Sequence, residues 1–270
     1  LFNQERLFFI IAPARSGTTL LQEIVSTFNG FSNTEESRIE GPGYLSCWTY
    51  VKKNKDFSYL EKFIEKRCTS EYFIEKTPDS FFCLPELLMR YPYANYIFLE
   101  RNPLEIILSQ LNLQIGIPDA AERNHHIEFD FMEQNDRLLS KEHYYAKLLL
   151  KGIESQNSNK QKFKKHITIR YENLINHIED ELKSIERYFG IKANYNDAKQ
   201  KLLHPSASSI TNKYEIKTLE DPNAIRLINK ACNIWNYPCI MIDVPKIDIN
   251  NNQSISDYQF LKSTLNVPLN

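Results

Sequence analysis

Residues 7–19 read LFFIIAPARSGTT, and this stretch decides the fold. Leu7 to Ala12 is an apolar run that ends at Pro13, far short of the roughly 18 residues that would span a bilayer. It is read as a buried strand. After a turn, Ser16, Gly17, Thr18 and Thr19 open a helix. Unpaired N–H groups at a helix start, with the positive end of its dipole, attract phosphate or sulfate; glycine permits close approach and hydroxyls add donors. Arg15 adds a planar, permanent charge. The segment therefore reads as an anion cradle, against the plainer alternative of a helix cap formed by Ser16 or Thr18. It is not a Walker A loop, because Thr18 stands where the phosphate-reaching Lys would be, and an ATP or GTP hydrolase is demoted accordingly.

Outward from this segment, Tyr72 to Glu75, Asn95 to Leu99 and His166 to Arg170 also read as buried strands. Helical patterns fill the gaps at 19–28, 57–67, 103–115, 133–155, 173–188 and 222–235. This alternation predicts an α/β chain: a P-loop-like three-layer fold with a central, mostly parallel sheet flanked by helices. One domain is expected over 1–244, with a C-terminal tail over 245–270. The 33 Lys+Arg against 34 Asp+Glu give a net charge of −1, which argues against a nucleic-acid coat or a polybasic membrane anchor but allows a local basic pocket. With 42% hydrophobic and 25% charged residues, the chain can bury a sizeable core. No run is long enough for a membrane span, and five cysteines without a C-x-x-C pair suggest a reducing, cytoplasmic setting. The chain opens at Leu1, which leaves room for a leader or anchor before it.

A second anion signal lies in residues 96–110, YIFLERNPLEIILSQ: a strand running into Arg101, then a helix begun at Pro103. Ser109 falls eight residues after Arg101, a spacing that lets an Arg at a strand's carboxyl end and a helix hydroxyl converge on one phosphate. The bland alternative is an Arg held by a neighbouring acid, with Ser109 merely exposed.

The two elements, in this order and each after an apolar strand, resemble those of sulfotransferases that use 3′-phosphoadenosine 5′-phosphosulfate (PAPS). Arg-Ser-Gly-Thr-Thr at 15–19 is similar to the 5′-phosphosulfate loop of tyrosylprotein sulfotransferases and their bacterial relatives, and Arg101 with Ser109 to the family's 3′-phosphate element. The resemblance implies PAPS as co-substrate, adenosine 3′,5′-bisphosphate as product, and no metal. It places Arg15, Ser16, Gly17, Thr18, Thr19, Arg101 and Ser109 on the cofactor. It adds Tyr171, in IRYENL at 169–174, as a nucleotide contact, and Lys213, in SSITNKY at 208–214, as a 5′-phosphate contact.

For the chemistry, the resemblance names Glu36 as general base, Arg38 as a substrate-orienting group and Lys76, in FIEKTPDS, as the leaving-group cation, with Arg15 as the sulfonate clamp. Glu36 lies 21 residues after Arg15, the interval seen in tyrosylprotein sulfotransferases, and Glu36-x-Arg38 matches their pattern. An acidic surface loop is the alternative for Glu36. Two features depart from that subfamily: Leu113 stands where it has a further Arg, and its cysteine pattern is missing. His125 and His126 are adjacent, so their side chains diverge and are not read as metal ligands.

The acceptor is expected to be a hydroxyl or amine on a small molecule, glycan or peptide. Segments 41–56 and 115–131 are candidate pocket walls, with Tyr44, Trp48, Tyr50, Phe129 and Phe131 as stacking groups or as core. Competing classes are a P-loop small-molecule kinase and a catalytically inactive nucleotide-binding domain.

Overall fold

A computed structural model describes residues 3–31, 36–37, 39, 46–112, 132–203 and 219–240. Arg38, Leu113, the 115–131 segment with His125, His126, Phe129 and Phe131, the 208–214 segment with Lys213, and the 245–270 tail lie outside these residues. Four strands form one sheet: β1 (Leu7–Ile11), β2 (Phe73–Glu75), β3 (Asn95–Glu100) and β4 (Lys165–Arg170), in the order β2-β1-β3-β4 and all parallel. The α/β architecture with a central parallel sheet agrees with the sequence reading.

Ten helices among the described residues cover the sheet: α1 (Thr18–Val25), α2 (Cys47–Asn54), α3 (Ser58–Arg67), α4 (Leu84–Arg90), α5 (Pro103–Asn112), α6 (Lys141–Asn159), α7 (Tyr171–Asn176), α8 (Ile178–Phe189), α9 (Tyr195–Leu203) and α10 (Pro222–Trp235). Their sides follow from the two-residue period of the strands. Phe9, Phe73, Tyr96 and Phe98 point into one layer, packed with Trp48, Leu60, Leu87, Ile107, Tyr144 and Trp235. Phe8, Ile74, Ile97 and Ile169 point into the other, packed with Leu21, Ile24, Leu174, Leu182 and Ala198. Both faces are covered, as a parallel sheet requires.

Some boundaries differ from the periodicity. The 133–155 pattern is a 3₁₀ turn at Gln134–Leu138 followed by α6, which restarts where Ser140 accepts from the His143 N–H. The 173–188 stripe is two helices, α7 and α8, broken at His177, yet Leu174, Ile178, Leu182 and Ile185 still share one core. Trp48, offered as a pocket wall or core, is core: it is fully buried, edge-on to Phe9 and Phe57. Tyr50 pairs with Tyr59 at a ring separation of 4.7 Å. All five cysteines are free thiols. Among the described residues no helix is long and apolar enough to cross a membrane.

Gly152 in α6 lies against Phe81 so closely that an added Cβ would sit 2.1 Å from Cε1 of that fully buried ring. Glycine-to-alanine in a helix interior ordinarily gains about 1 kcal/mol. Here overpacking, at about 1–3 kcal/mol, opposes and exceeds that gain. Gly152→Ala is expected to lower the melting temperature by a few degrees in a thermal melt, and an unchanged or raised Tm would show that Phe81 yields.

Candidate active site

The described site residues gather at the carboxyl end of the sheet, because each follows a strand: 15–19 after β1, Lys76 after β2, Arg101 after β3 and Tyr171 after β4. In an open parallel sheet this edge is where ligands bind.

The loop after β1 is wound tightly. Arg15 and Gly17 both have left-handed backbone, with φ of 71° and 93°. For a non-glycine residue such a conformation is strained. Gly17 is the N-cap of α1, and no side chain caps the helix. The capping alternative for Ser16 or Thr18 is thereby set aside. The Ser16 hydroxyl is buried and has no hydrogen-bond partner among the described residues. A helix start with open N–H groups and an orphaned hydroxyl beside it suits an anion. Only glycine fits at 17: a Cβ there would come within 2.4 Å of the Tyr171 ring.

The 101–109 element closes on this loop. Arg15 Nε donates to Ser109 Oγ at 3.1 Å, and Arg101 Nη1 donates to the Arg15 carbonyl at 2.9 Å. Gln110 Nε2 donates to the Ala14 carbonyl at 3.2 Å. Arg101 is buried, lies 4.5 Å from the Tyr171 ring centroid and is 3.6 Å from Glu105. The acid neighbour weighed for Arg101 is thus present, but Ser109 is fully buried rather than exposed. Arg15, Gly17, Arg101, Ser109 and Tyr171 form one contact group.

On the other side of the loop, Lys76 is buried and its ammonium donates to Glu36 Oε1 at 2.8 Å and to Thr19 Oγ1 at 3.1 Å. The period of β2 explains this direction. Ile74 and Lys76 face α1, whereas Phe73 and Glu75 face α2. Glu36, held by this lysine, is therefore an ion-paired acid beside the start of α1. Glu75 is fully buried, and burial raises its pKa against the pull of hydrogen bonds from Thr77 and Ser37.

Residues 40–197, more than half of the chain, match the sequence model of the Sulfotransferase family. The chain belongs to this family. Among solved structures, sulfotransferase STF9 from Mycobacterium avium is 10% identical, with a TM-score of 0.52 over 88% of this chain and 79% of its own. Mouse sulfotransferase SULT7A1, complexed with PAP, is 18% identical, with a TM-score of 0.47 over 97% of this chain and 85% of its own. A sulfotransferase from Alicyclobacillus acidocaldarius is 12% identical, with a TM-score of 0.47 over 97% and 96%. At 10% identity the likeness to STF9 is one of fold. No curated protein matches the chain.

This sulfotransferase also has supporting residues that motif reading passed over. Glu172, beside Tyr171, accepts from the Asn102 N–H at 2.9 Å and from the Tyr237 hydroxyl at 2.7 Å. Burial, and then the Glu172 carboxylate, push the Tyr237 phenol well above its ordinary pKa, so it stays a donor. Arg170 lies over the Tyr237 ring at 4.9 Å and donates to the Trp235 carbonyl at 3.0 Å. The end of α10 is therefore tied to the backbone that carries Arg101 and Tyr171. The only sequence signal for this was the acid following Tyr171. Among the described residues no three His, Cys, Asp or Glu side chains gather as a metal site.

Proposed function

We propose that this sulfotransferase takes PAPS as donor and passes its sulfuryl group to a hydroxyl or amine of a small molecule, glycan or peptide. The observation that carries this reading is the uncapped start of α1, with the Lys76–Glu36 pair at one side and the Arg15–Arg101–Ser109 group at the other. The residues present suit the nucleotide: an orphaned buried hydroxyl at Ser16, a glycine at 17 that no larger residue can replace, and two arginines for two anionic ends.

PAPS, when bound, supplies an activated sulfuryl group whose departure leaves charge on a phosphate oxygen. In this reading Ser16, Gly17, Thr18 and Thr19 hold the 5′-phosphosulfate, with Arg15 clamping the sulfonate. Arg101 and Ser109 hold the 3′-phosphate, and Tyr171 contacts the nucleotide. Glu36 receives the acceptor's proton as the new bond forms. Lys76 has three N–H donors, enough to keep Glu36 and Thr19 while offering one to the leaving oxygen. Arg38 orienting the acceptor and Lys213 meeting the 5′-phosphate complete the assignment; both lie outside the described residues.

Calorimetric titration tests the donor. Adenosine 3′,5′-bisphosphate is expected to bind without added Mg²⁺ and in preference to ATP and GTP; preference for ATP with Mg²⁺ would overturn the reading in favour of a kinase. Arg101→Ala is expected to cost about 1.5–3 kcal/mol, a tenfold to hundredfold loss of bisphosphate affinity, since it removes a charge-assisted contact. The same variant should erase the preference for a ligand bearing the 3′-phosphate over adenosine 5′-phosphosulfate. Unchanged affinity and selectivity would remove Arg101 from the site.

A further inference from the structure

Glu36 and Lys76 come from two segments that would have to be held in a fixed relation for the pair to form. One residue further along each segment, a second polar cluster is buried beneath them. Ser37 is fully buried, and all three of its polar groups are engaged. Its N–H donates to Thr77 Oγ1 at 2.8 Å, its hydroxyl donates to Glu75 Oε1 at 2.8 Å, and its carbonyl accepts from the Cys47 N–H at 3.1 Å. The Thr77 N–H donates to the same Glu75 oxygen at 3.0 Å, and the Thr77 hydroxyl donates to it as well. Segment 36–37, the end of β2 and the start of α2 therefore meet on one carboxylate and two hydroxyls.

Apolar side chains would fill this space at lower cost, since a buried carboxylate is expensive unless every donor is well placed. What a polar cluster adds is direction, because hydrogen bonds fix the angle as well as the distance between the segments. The Glu36 side chain is 27% exposed, against 8% for Lys76, so packing constrains it less. Its position depends on the backbone at its neighbour. Because Ser37 is tied to Glu75 and Thr77, the backbone bearing Glu36 is referred directly to the residues that flank Lys76.

We propose that Ser37, Glu75 and Thr77 form a positioning clamp for the general base, setting Glu36 against Lys76 and so against the acceptor. This rests on the reading of Glu36 and Lys76 given above. None of the three is a catalytic residue; each acts through Glu36. Misplacement of a reacting group by about 1 Å can cost on the order of a hundredfold in rate, so loosening the clamp lowers turnover without touching the nucleotide.

The test uses the full chain with sulfur-labelled PAPS, following sulfate release to water so that no particular acceptor is assumed. Calorimetry with adenosine 3′,5′-bisphosphate and a thermal melt accompany each variant. Ser37→Ala and Thr77→Val are each expected to lower kcat by about ten- to a hundredfold, with bisphosphate affinity unchanged and a folded melt. Thr77→Ser, which keeps the hydroxyl, should recover most of what Thr77→Val loses. In a Glu36→Gln background, Ser37→Ala should cost nothing further, because residues that act as a unit are not additive.

An equal loss from Ser37→Ala in both backgrounds would overturn the clamp, as would bisphosphate affinity falling in step with kcat or Thr77→Val matching the wild type. The underlying reading fails differently. If Glu36→Gln alone turns over normally, the base assignment is wrong and the clamp falls with it; if the wild type has no affinity for adenosine 3′,5′-bisphosphate, the donor is wrong. If Glu36→Gln is impaired while Ser37→Ala and Thr77→Val are not, the base stands and the clamp alone is lost.

Discussion

Glu36→Gln is expected to reduce sulfuryl transfer by about 10² to 10⁴, the range of general-base catalysis, with folding and bisphosphate affinity nearly intact. Gln is chosen because its amide oxygen can still accept from Lys76, which now donates to Glu36 Oε1 at 2.8 Å. The hydrogen bond is retained, while the basicity and the negative charge are removed. A carboxylate can draw off the proton of a hydroxyl as the O–S bond forms, so a covalent intermediate on the protein is not required. Single-turnover rates with saturating donor isolate the chemical step. Glu35→Gln serves as the control, and if it abolished turnover while Glu36→Gln retained it, the base would be the neighbouring residue.

Lys76→Ala is expected to lower kcat by about 10² to 10³, the effect typical of removing one donor aimed at developing charge. Bisphosphate binding should fall only modestly, because the interaction strengthens as charge builds on the leaving oxygen. Lys76 is well placed for this: it is buried, and it reaches Thr19 at 3.1 Å at the first turn of α1, where the cradle lies. Steady-state kinetics separate the roles. Unchanged kcat with a raised KM would move Lys76 from transition-state stabilisation to ground-state binding.

Much of the sheet could be read from the chain, because its strands are short apolar runs with turn signals, and a strand buried on both faces carries no competing pattern. Leu7–Ile11 and Asn95–Glu100 are buried at every position. The short helices could not be read in this way. α2 and α4, with eight and seven residues, are too brief to repeat an apolar stripe, and α4 carries a Pro in its first turn that reads as a loop. For the site, sequence order showed which residues follow strands but not which of them touch. That Arg15 reaches Ser109 depends on β1 and β3 being neighbours, a fact of topology rather than of spacing. Glu75 read as the last residue of a strand. Its only mark was a charge at the end of an apolar run, and its partner Ser37 lies 38 positions away.

β2 has three residues, the shortest strand of the four, and it stands at one end of the described sheet. A strand so brief would be the easiest to pair out of step. Yet a shift by one residue would drive the ammonium of Lys76 into the aromatic layer around Trp48 and turn Glu75 toward the aliphatic face of α1. Each of these placements would bury a polar group away from its present partners, at a cost. The register of β2 is thus tied at both of its faces: the one placement that lets Lys76 meet Glu36 is also the one that lets Glu75 meet Ser37 and Thr77.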